Sequence, residues 1–141
     1  MKERSHKNLV AWHKSMALVT EIYSLTKKFP KEETYGLTSQ IRRAAVSIPS
    51  NLAEGHAMKS TVHYLKFIYI ARGSLAEVET QLTIAGNLSY IAETELNPML
   101  MKADELGKML SKLVASLNKK IDNDVANSRV PDIESLAPSN L

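Results

Sequence analysis

The sequence contains no cysteine and few residues that interrupt regular secondary structure. Its 141 residues include five glycines, five prolines and no cysteine. Without cysteine the chain has neither a disulfide framework nor a thiolate metal site, which fits a reducing compartment, so we expect a cytoplasmic protein. The scarcity of glycine and proline favours long regular elements over a fold with many turns.

Long hydrophobic runs are also absent. No apolar segment approaches the roughly 18 residues that a membrane-spanning helix needs, so we expect no membrane partner. The charged N-terminus MKERSHKN lacks the apolar core of a signal peptide. Hydrophobic residues make up 44% of the chain and charged residues 23%, which is typical of one globular domain with a substantial core.

The net charge of +3 conceals an uneven distribution of charge along the chain. Residues 1–66 carry 11 bases and 5 acids, whereas residues 67–121 carry 6 of each. Residues 122–141 hold one arginine and four acids. The basic first half permits an anionic partner, although on charge alone we favour a solvated face kept soluble by lysine.

Apolar periodicity predicts an all-α, antiparallel up-down four-helix bundle over residues 8–121. The first helix, over residues 8–28, carries two apolar stripes: Leu9, Trp12, Met16, Val19, Tyr23 and Thr26, and Leu18, Ile22, Leu25 and Phe29. The second begins near the N-cap candidate Thr38, and Pro49 lies within its pattern and predicts a kink. Its small residues Ala44, Ser47 and Ala53 predict close packing.

Two further helices complete the predicted bundle. Ser60 is expected to cap the third, which extends to about Tyr90, and Thr94 the fourth. Residues 1–7 form an N-terminal arm. From residue 122 the periodicity fades, and we expect an acidic, disordered tail over residues 122–141.

Motifs for catalysis or cofactor binding are missing from the predicted bundle. The single Glu-x-x-His, at Glu3–His6, lies alone in the arm, whereas a di-iron bundle needs two such motifs on facing helices. The remaining histidines do not form a metal pair, and there is no nucleophile elbow or glycine-rich phosphate loop. We therefore expect no enzyme activity, no metal and no cofactor.

The densest polar cluster is the segment SQIRRAAVSIPSNLAEG over residues 39–55, accompanied by ARGSLAE over residues 71–77. With these segments, residues 8–120 resemble the small four-helix bundle proteins encoded in intervening sequences of 23S rRNA genes, a family related to the accessory protein of diversity-generating retroelements. The residues that carry the motif are Gln40, Ser47, Asn51, Glu54, Gly55, Arg72 and Glu77.

This resemblance implies a homopentameric ring with a basic surface, and it implies RNA or DNA as a partner. A reverse transcriptase or another protein is a further partner that it implies. It supplies no nuclease activity and does not by itself make the chain a ribosomal protein.

Two hypotheses of function follow. In the first, the protein is an oligomeric nucleic-acid-binding adaptor that contacts phosphates without reading sequence, because no basic motif interleaved with aromatics is present. Its candidate contacts are Lys7, Lys14, Lys28, Arg42, Arg43, Lys59 and Lys66. A structural interpretation has equal weight for the arginines, one of which could pair with Glu54 or Glu77.

In the second hypothesis the protein is a protein–protein scaffold with no nucleic-acid role. Trp12 and Tyr23 are its candidate oligomer contacts, because aromatic residues are enriched at interfaces. The alternative is that they are core residues, which we favour for Tyr23.

Overall fold

The computed structural model describes residues 5–140 of the chain and the side chains of residues 5–128. Four α-helices make up most of it: α1 Val10–Thr26, α2 Leu37–Ala57, α3 Thr61–Asn87 and α4 Glu93–Asn140. Short 3-10 turns at His6–Asn8 and Lys31–Glu33 precede α1 and α2. No strand occurs within residues 5–140, so the predicted all-α four-helix fold is confirmed.

Successive helices are antiparallel neighbours, and the last returns to the first. Lys14 of α1 and Lys28, just after the end of α1, pair with Glu105 and Glu95 of α4, in reverse order along the chain. Both α1 and α3 contact α2 and α4, which places α1 and α3 at diagonal corners. The α1–α2 and α3–α4 connections lie at one end of the bundle. The start of α1 and the α2–α3 connection lie at the other end.

The core is built from one apolar stripe of each helix. Of the two stripes predicted for the first helix, one is buried throughout, whereas the other is buried at Thr26 and only partly at Trp12 and Val19. Leu18, Ile22, Leu25 and Phe29 lie in the core. Met16 and Tyr23 of the other stripe are 42% and 40% exposed, so our interpretation of Tyr23 as a core residue was wrong. The predicted core positions of α2 are buried: Leu37, Ile41, Ala45, Ile48 and Leu52.

Helix α2 is the most closely packed element, as its small residues predicted. It continues through the buried Pro49 without ending. A Cβ atom added to Gly55 would lie 2.7 Å from the Cβ of Phe67 on α3, so only glycine allows this approach of the two helices. The predicted N-cap Thr38 is wrong, because the helix begins one residue earlier and Gly36 occupies the cap position.

Helix α4 continues past the predicted end of the bundle. The backbone is helical to Asn140, whereas the apolar contacts to the core stop at Leu117. From Asp122 to Ser128 every described side chain is exposed. This extension therefore contributes nothing to the described core, and the predicted disorder of residues 122–141 stays a prediction.

Candidate nucleic-acid interface

The seam between α1 and α4 is lined by three ion pairs. Its members on the α1 side, at positions 14, 21 and 28, are spaced by seven residues and therefore lie along one side of the helix. The pairs join Lys14 to Glu105, Glu21 to Lys102, and Lys28 to Glu95, and the first has a nitrogen–oxygen distance of 3.5 Å. Glu21 lies between Lys14 and Lys28 in the sequence, and it faces Lys102, the lysine that α4 contributes to this seam.

This seam changes the environment of two predicted phosphate contacts. Lys14 and Lys28 remain exposed, but each ammonium group already has a carboxylate partner. Hydrogen bonding from Lys28, followed by that from the Ala92 backbone, holds the pKa of Glu95 below its usual value. The carboxylate therefore stays charged, and the two lysines add little net positive potential to the surface.

The two adjacent arginines of α2 have different surroundings. Arg42 donates from Nε to Thr26 Oγ1 at 2.8 Å and from Nη2 to the Tyr23 carbonyl at 3.3 Å. Its guanidinium carbon lies 4.6 Å from the centre of the Tyr23 ring. The side chain thus joins α2 to α1 and pairs with neither Glu54 nor Glu77. Arg43 is exposed and has no ion-pair partner among the described residues.

Motif residues of α2 and α3 meet in a polar contact between the two helices. Asn51 donates from Nδ2 to the Ser47 carbonyl at 2.7 Å and to Ser47 Oγ at 2.8 Å. The Ser47 and Ser74 hydroxyls lie 2.8 Å apart, which ties α2 to α3. Asn51 therefore satisfies groups of its own helix, and its role in the structure is to position the Ser47 hydroxyl.

A shallow groove of about 530 Å³ runs beside this contact. Its lining includes Gln40, Arg43, Ser47, Glu77 and Gln81. The buried Gln81 Oε1 has no hydrogen-bond partner among the described residues. Two other motif residues lie elsewhere on the surface: Glu54 is exposed on α2, and Arg72 is exposed with its guanidinium carbon 5.7 Å from the Tyr69 ring centre.

The unpaired lysines concentrate at the end of the bundle that holds the start of α1 and the α2–α3 connection. Lys112 lies one heptad beyond Glu105 on α4, nearer this end of the bundle than the Lys14–Glu105 pair, and Lys7 lies in the 3-10 turn that precedes α1 at the same end. On the other side of α4, Gly107 packs against Leu75. Continuing that antiparallel register brings Lys119 and Lys120 level with the first turn of α3.

We call this region the basic end and define it by six exposed lysines: Lys7, Lys59, Lys66, Lys112, Lys119 and Lys120. None of them has an ion pair with a residue that the structure describes. Glu54, Asp122 and Asp124 are exposed acids toward the same end, and Lys112 shares a depression with Glu79 and Asp104. Three of the predicted contacts, Lys7, Lys59 and Lys66, belong to this group.

Lys112, Lys119 and Lys120 are missing from the sequence prediction because residues 67–121 are balanced in charge overall. Within that stretch, the six acids all precede residue 106, whereas three of the six bases follow residue 111. Because α4 runs toward the basic end, this order along the chain becomes a separation of charge in space. A finer scan of charge along α4 would have found the signal.

The two aromatic candidates for an oligomer contact differ in exposure. Trp12 is half-buried between His6 and His13, whose rings approach its own edge-on at 5.1 Å each. Tyr23 is exposed and carries the Arg42 guanidinium on its ring. Tyr23 therefore lies on an accessible surface, whereas Trp12 is partly used to attach the first 3-10 turn.

Metal-binding clusters and membrane-spanning helices are both absent from the described part of the chain. No cluster of three or more histidine, aspartate or glutamate side chains there has an arrangement that could hold a metal ion. Across residues 5–140, the helices lack the combination of length and apolar character needed to span a bilayer.

Comparison with known proteins agrees with this architecture. A family model described as 23S rRNA-intervening sequence protein matches residues 7–112. A similar solved structure is the crystal structure of a protein of unknown function from the S23 ribosomal protein family of Bacteroides thetaiotaomicron VPI-5482. It has a TM-score of 0.70 and 23% identity, with 74% of this chain and 98% of that chain covered, which supports the fold alone. Comparison with curated proteins gives no match.

Proposed function

Because the chain belongs to the 23S rRNA-intervening sequence protein family, we propose that it is a non-enzymatic, oligomeric nucleic-acid-binding adaptor whose basic end contacts the phosphate backbone. The observation that carries the proposal is which lysines have an ion-pair partner and which do not. Four ion pairs are formed among the described residues, each with at least one member on α4, and none includes a lysine of the basic end.

Unpaired lysines are suited to phosphate contact because they lose no internal partner on binding. Each phosphate that they neutralise releases condensed counterions, which favours binding and makes it depend on salt. Six lysines at one end of a subunit give a modest local charge. In a pentameric ring, the assembly that the family resemblance implies, the same charge is repeated and avidity strengthens the interaction.

A non-enzymatic role is supported by the kinds of side chain that are buried. Among residues 5–128, the buried polar residues are Ser15, Thr26, Thr38, Ser74 and Gln81, which are hydroxyls and one carboxamide. Such groups lack the perturbed titrating pairs on which acid–base chemistry depends. The exposed grooves between helices are open depressions, in which water would compete with a reacting substrate.

The proposal is tested by two double variants that remove the same charge from opposite ends of the bundle. Lys119→Gln/Lys120→Gln neutralises the basic end, and the matched control Lys27→Gln/Lys31→Gln neutralises exposed lysines at the other end. Fluorescence anisotropy would follow binding to labelled duplex RNA, duplex DNA and single-stranded RNA between about 50 and 200 mM salt.

We expect the basic-end variant to bind more weakly and to lower the salt slope by about 0.9 for each duplex phosphate that the variant no longer neutralises. The control should retain the wild-type slope. Absence of wild-type binding at the lowest salt, or an equal weakening of binding in both variants, would contradict the assignment. A high 260/280 nm absorbance ratio in freshly purified wild-type protein would give independent support.

The alternative function, a protein–protein scaffold, is favoured by a separate observation. Apolar side chains remain exposed on two helices, among them Met16 and Tyr23 of α1 and Val62, Tyr69 and Ile70 of α3. A stable oligomer that binds none of the three nucleic acids would favour this function over the first.

A further inference from the structure

Four exposed side chains form a diagonal row across the outward face of α3. They are His63, Lys66, Tyr69 and Arg72, and each follows the one before it by three residues. Residues three apart on a helix lie on one ridge that is inclined to the axis, so the row places the Tyr69 ring between a lysine and an arginine. The tyrosine is 48% exposed, so a large part of its side chain is open to a ligand.

Arg72 contacts the Tyr69 ring and has no other partner among the described residues. Its guanidinium carbon lies 5.7 Å from the ring centre, near the outer limit of a cation–π contact. It shares a depression with Glu79 of α3 and Asp104 of α4 but forms an ion pair with neither. The guanidinium donors can therefore bind a phosphate, whose oxygens match their planar geometry.

The other two exposed tyrosines differ from Tyr69 in their surroundings. Tyr23 also has an arginine over its ring, but that arginine, Arg42, is held by hydrogen bonds to Thr26 and to the Tyr23 carbonyl. Tyr35 is 96% exposed and lies in the α1–α2 connection, at the end of the bundle opposite the basic end. Among the described residues, only Tyr69 combines an exposed ring with an arginine that has no other partner.

The part of α3 that carries the row has no negative charge of its own. Residues 61–76 contain no aspartate or glutamate, and the first acid of the helix is Glu77. The row also starts within the basic end, because Lys66 belongs to both. An anionic chain bound at the basic end can therefore continue along the row without meeting a carboxylate of α3.

A shallow apolar depression lies beside the Tyr69 ring. Its volume is about 460 Å³, and its lining residues are Val62, Leu65, Lys66, Tyr69 and Ile70. Four of the five are apolar or aromatic, and the fifth is the lysine of the row. The face of a nucleobase can leave water against such a surface, while the phosphates attached to it stay beside the ammonium group.

We propose that Tyr69 is a stacking platform for an unpaired base and that Lys66 and Arg72 contact the phosphates on either side of that base. The inference rests on the nucleic-acid binding of the proposed function and names the ligand class as single-stranded RNA or DNA. Every base has a π face, so stacking on the ring does not read sequence. A paired base is already stacked inside its duplex and does not reach the ring unless it is extruded.

The spacing along the helix fits this assignment. Lys66 and Arg72 are separated by about 9 Å along the axis, at 1.5 Å per residue. A stacked strand has one phosphate per roughly 3.4 Å, so about two to three nucleotides span that distance. The base between those phosphates lies level with Tyr69. From the sequence we expected phosphate contact alone, and the ring joins the cations because the helix brings every third residue onto one row.

The test compares variants at two exposed tyrosines. Tyr69→Leu removes the ring and keeps an apolar side chain, Tyr69→Phe keeps the ring, and Tyr35→Leu is the matched control away from the row. Fluorescence anisotropy would measure binding to four labelled probes of one length at about 50 mM salt. The probes are single-stranded RNA, single-stranded DNA, duplex RNA and an abasic single strand, which has phosphates without bases.

We expect Tyr69→Leu to bind a single strand about 5- to 150-fold more weakly than wild type, the range for loss of one base stack. Its binding to the duplex and to the abasic strand should be unchanged, because neither presents an unpaired base. Tyr69→Phe and Tyr35→Leu should bind like wild type. A loss confined to the RNA or to the DNA strand would identify which of the two the platform takes.

A second measurement separates the ring from the cations. Stacking on a neutral ring releases no counterions, so Tyr69→Leu should keep the salt slope of single-strand binding. Arg72→Gln should lower that slope by about 0.7 for each phosphate that it no longer neutralises. Mass by light scattering and helicity by circular dichroism should be those of wild type for both variants, because both side chains are exposed.

The inference is overturned if Tyr69→Leu binds single strands as wild type does, if it weakens binding to all four probes equally, or if Tyr69→Phe loses as much affinity. A changed mass of Tyr69→Leu would also reject it, since the ring would then belong to a protein contact. Single-strand binding that falls in Lys119→Gln/Lys120→Gln but not in Tyr69→Leu would reject the platform and keep the proposed function. A wild type that binds none of the probes would reject both.

Discussion

At the residue scale, Arg42 and Arg43 show how neighbouring side chains with the same chemistry come to have different roles. The Arg42 side chain follows the α1–α2 seam and uses the planar, directional donors of its guanidinium group. Arg43 is the next residue along α2, so its side chain points in a different direction round the helix and lines the groove together with Glu77. Of these two arginines, only Arg42 connects two helices.

The substitution Arg42→Lys should lower the free energy of unfolding by about 1 kcal/mol, because lysine cannot reproduce both the hydrogen bond to Thr26 and the planar contact with Tyr23. The matched control Arg43→Lys should change it by less than about 0.5 kcal/mol. Urea unfolding followed by circular dichroism measures both values. Equal effects of the two substitutions would show that the Arg42 contacts are not stabilising.

At the element scale, the connections at one end of the bundle are joined to each other. Helix α2 starts after Gly36, which has no side chain to accept a hydrogen bond, and Glu33 fills this role by accepting from the Leu37 backbone at 3.0 Å. Its other oxygen accepts from the Tyr90 hydroxyl, beyond the end of α3, at 2.8 Å. One carboxylate therefore caps α2 and attaches the α1–α2 connection to the α3–α4 connection.

These hydrogen bonds predict a dependence of stability on pH. The Leu37 N–H, and then the Tyr90 hydroxyl, hold the pKa of Glu33 below its ordinary value of 4.5. A lowered pKa contributes stability above the unfolded-state pKa, and that contribution is lost as the pH falls through the folded-state pKa. Glu33→Gln should therefore be less stable than wild type at pH 7, and the difference should shrink as the pH falls below about 4.5.

Thermal unfolding of wild type and Glu33→Gln between pH 7 and pH 3 would measure this difference. The neighbouring Glu32→Gln is the control, because Glu32 lies in the same turn and makes no hydrogen bond to a described residue. A constant difference between wild type and Glu33→Gln at all pH values would contradict the assigned role of the carboxylate.

At the scale of the whole molecule, charge is arranged by the antiparallel packing of α1 and α4. Acids and bases alternate along their seam and neutralise each other, whereas the lysines of the basic end have no ion pair among the described residues. The mild net charge of +3 thus becomes a local concentration of lysines on one part of the surface. Such a distribution supports anion binding at one end better than uniform charge would.

The ion-paired lysines can be tested against the unpaired ones. Lys14→Gln/Lys28→Gln removes two positive charges, as Lys119→Gln/Lys120→Gln does, but each replaced lysine has a carboxylate partner. We expect a smaller drop in the salt slope of nucleic-acid binding than for the basic-end variant. Exposed pairs stabilise by about 0–1 kcal/mol, so the unfolding free energy should fall only slightly. If Lys14→Gln/Lys28→Gln lowered the salt slope more than the basic-end variant does, Lys14 and Lys28 would be the principal phosphate contacts instead.

The sequence by itself determined the fold, because the spacing of apolar residues is a local property that each helix displays alone. It also singled out three lysines that the structure places in the basic end, Lys7, Lys59 and Lys66, and their contact with phosphate stays a prediction. The small residues Ala44, Ser47 and Ala53 of α2 predicted close packing for the same local reason.

Only the tertiary structure decided which side chains meet. The partners of Glu21 and Lys28 lie 81 and 67 residues away in the chain, so their pairing depends on the register between α1 and α4. The choice between the two apolar stripes of α1 likewise depends on where α2 and α4 pack. Helical periodicity gives the angle of a residue around its own axis but not the direction of its neighbours, so the exposed face of α1 and the basic end emerge only in the assembled bundle.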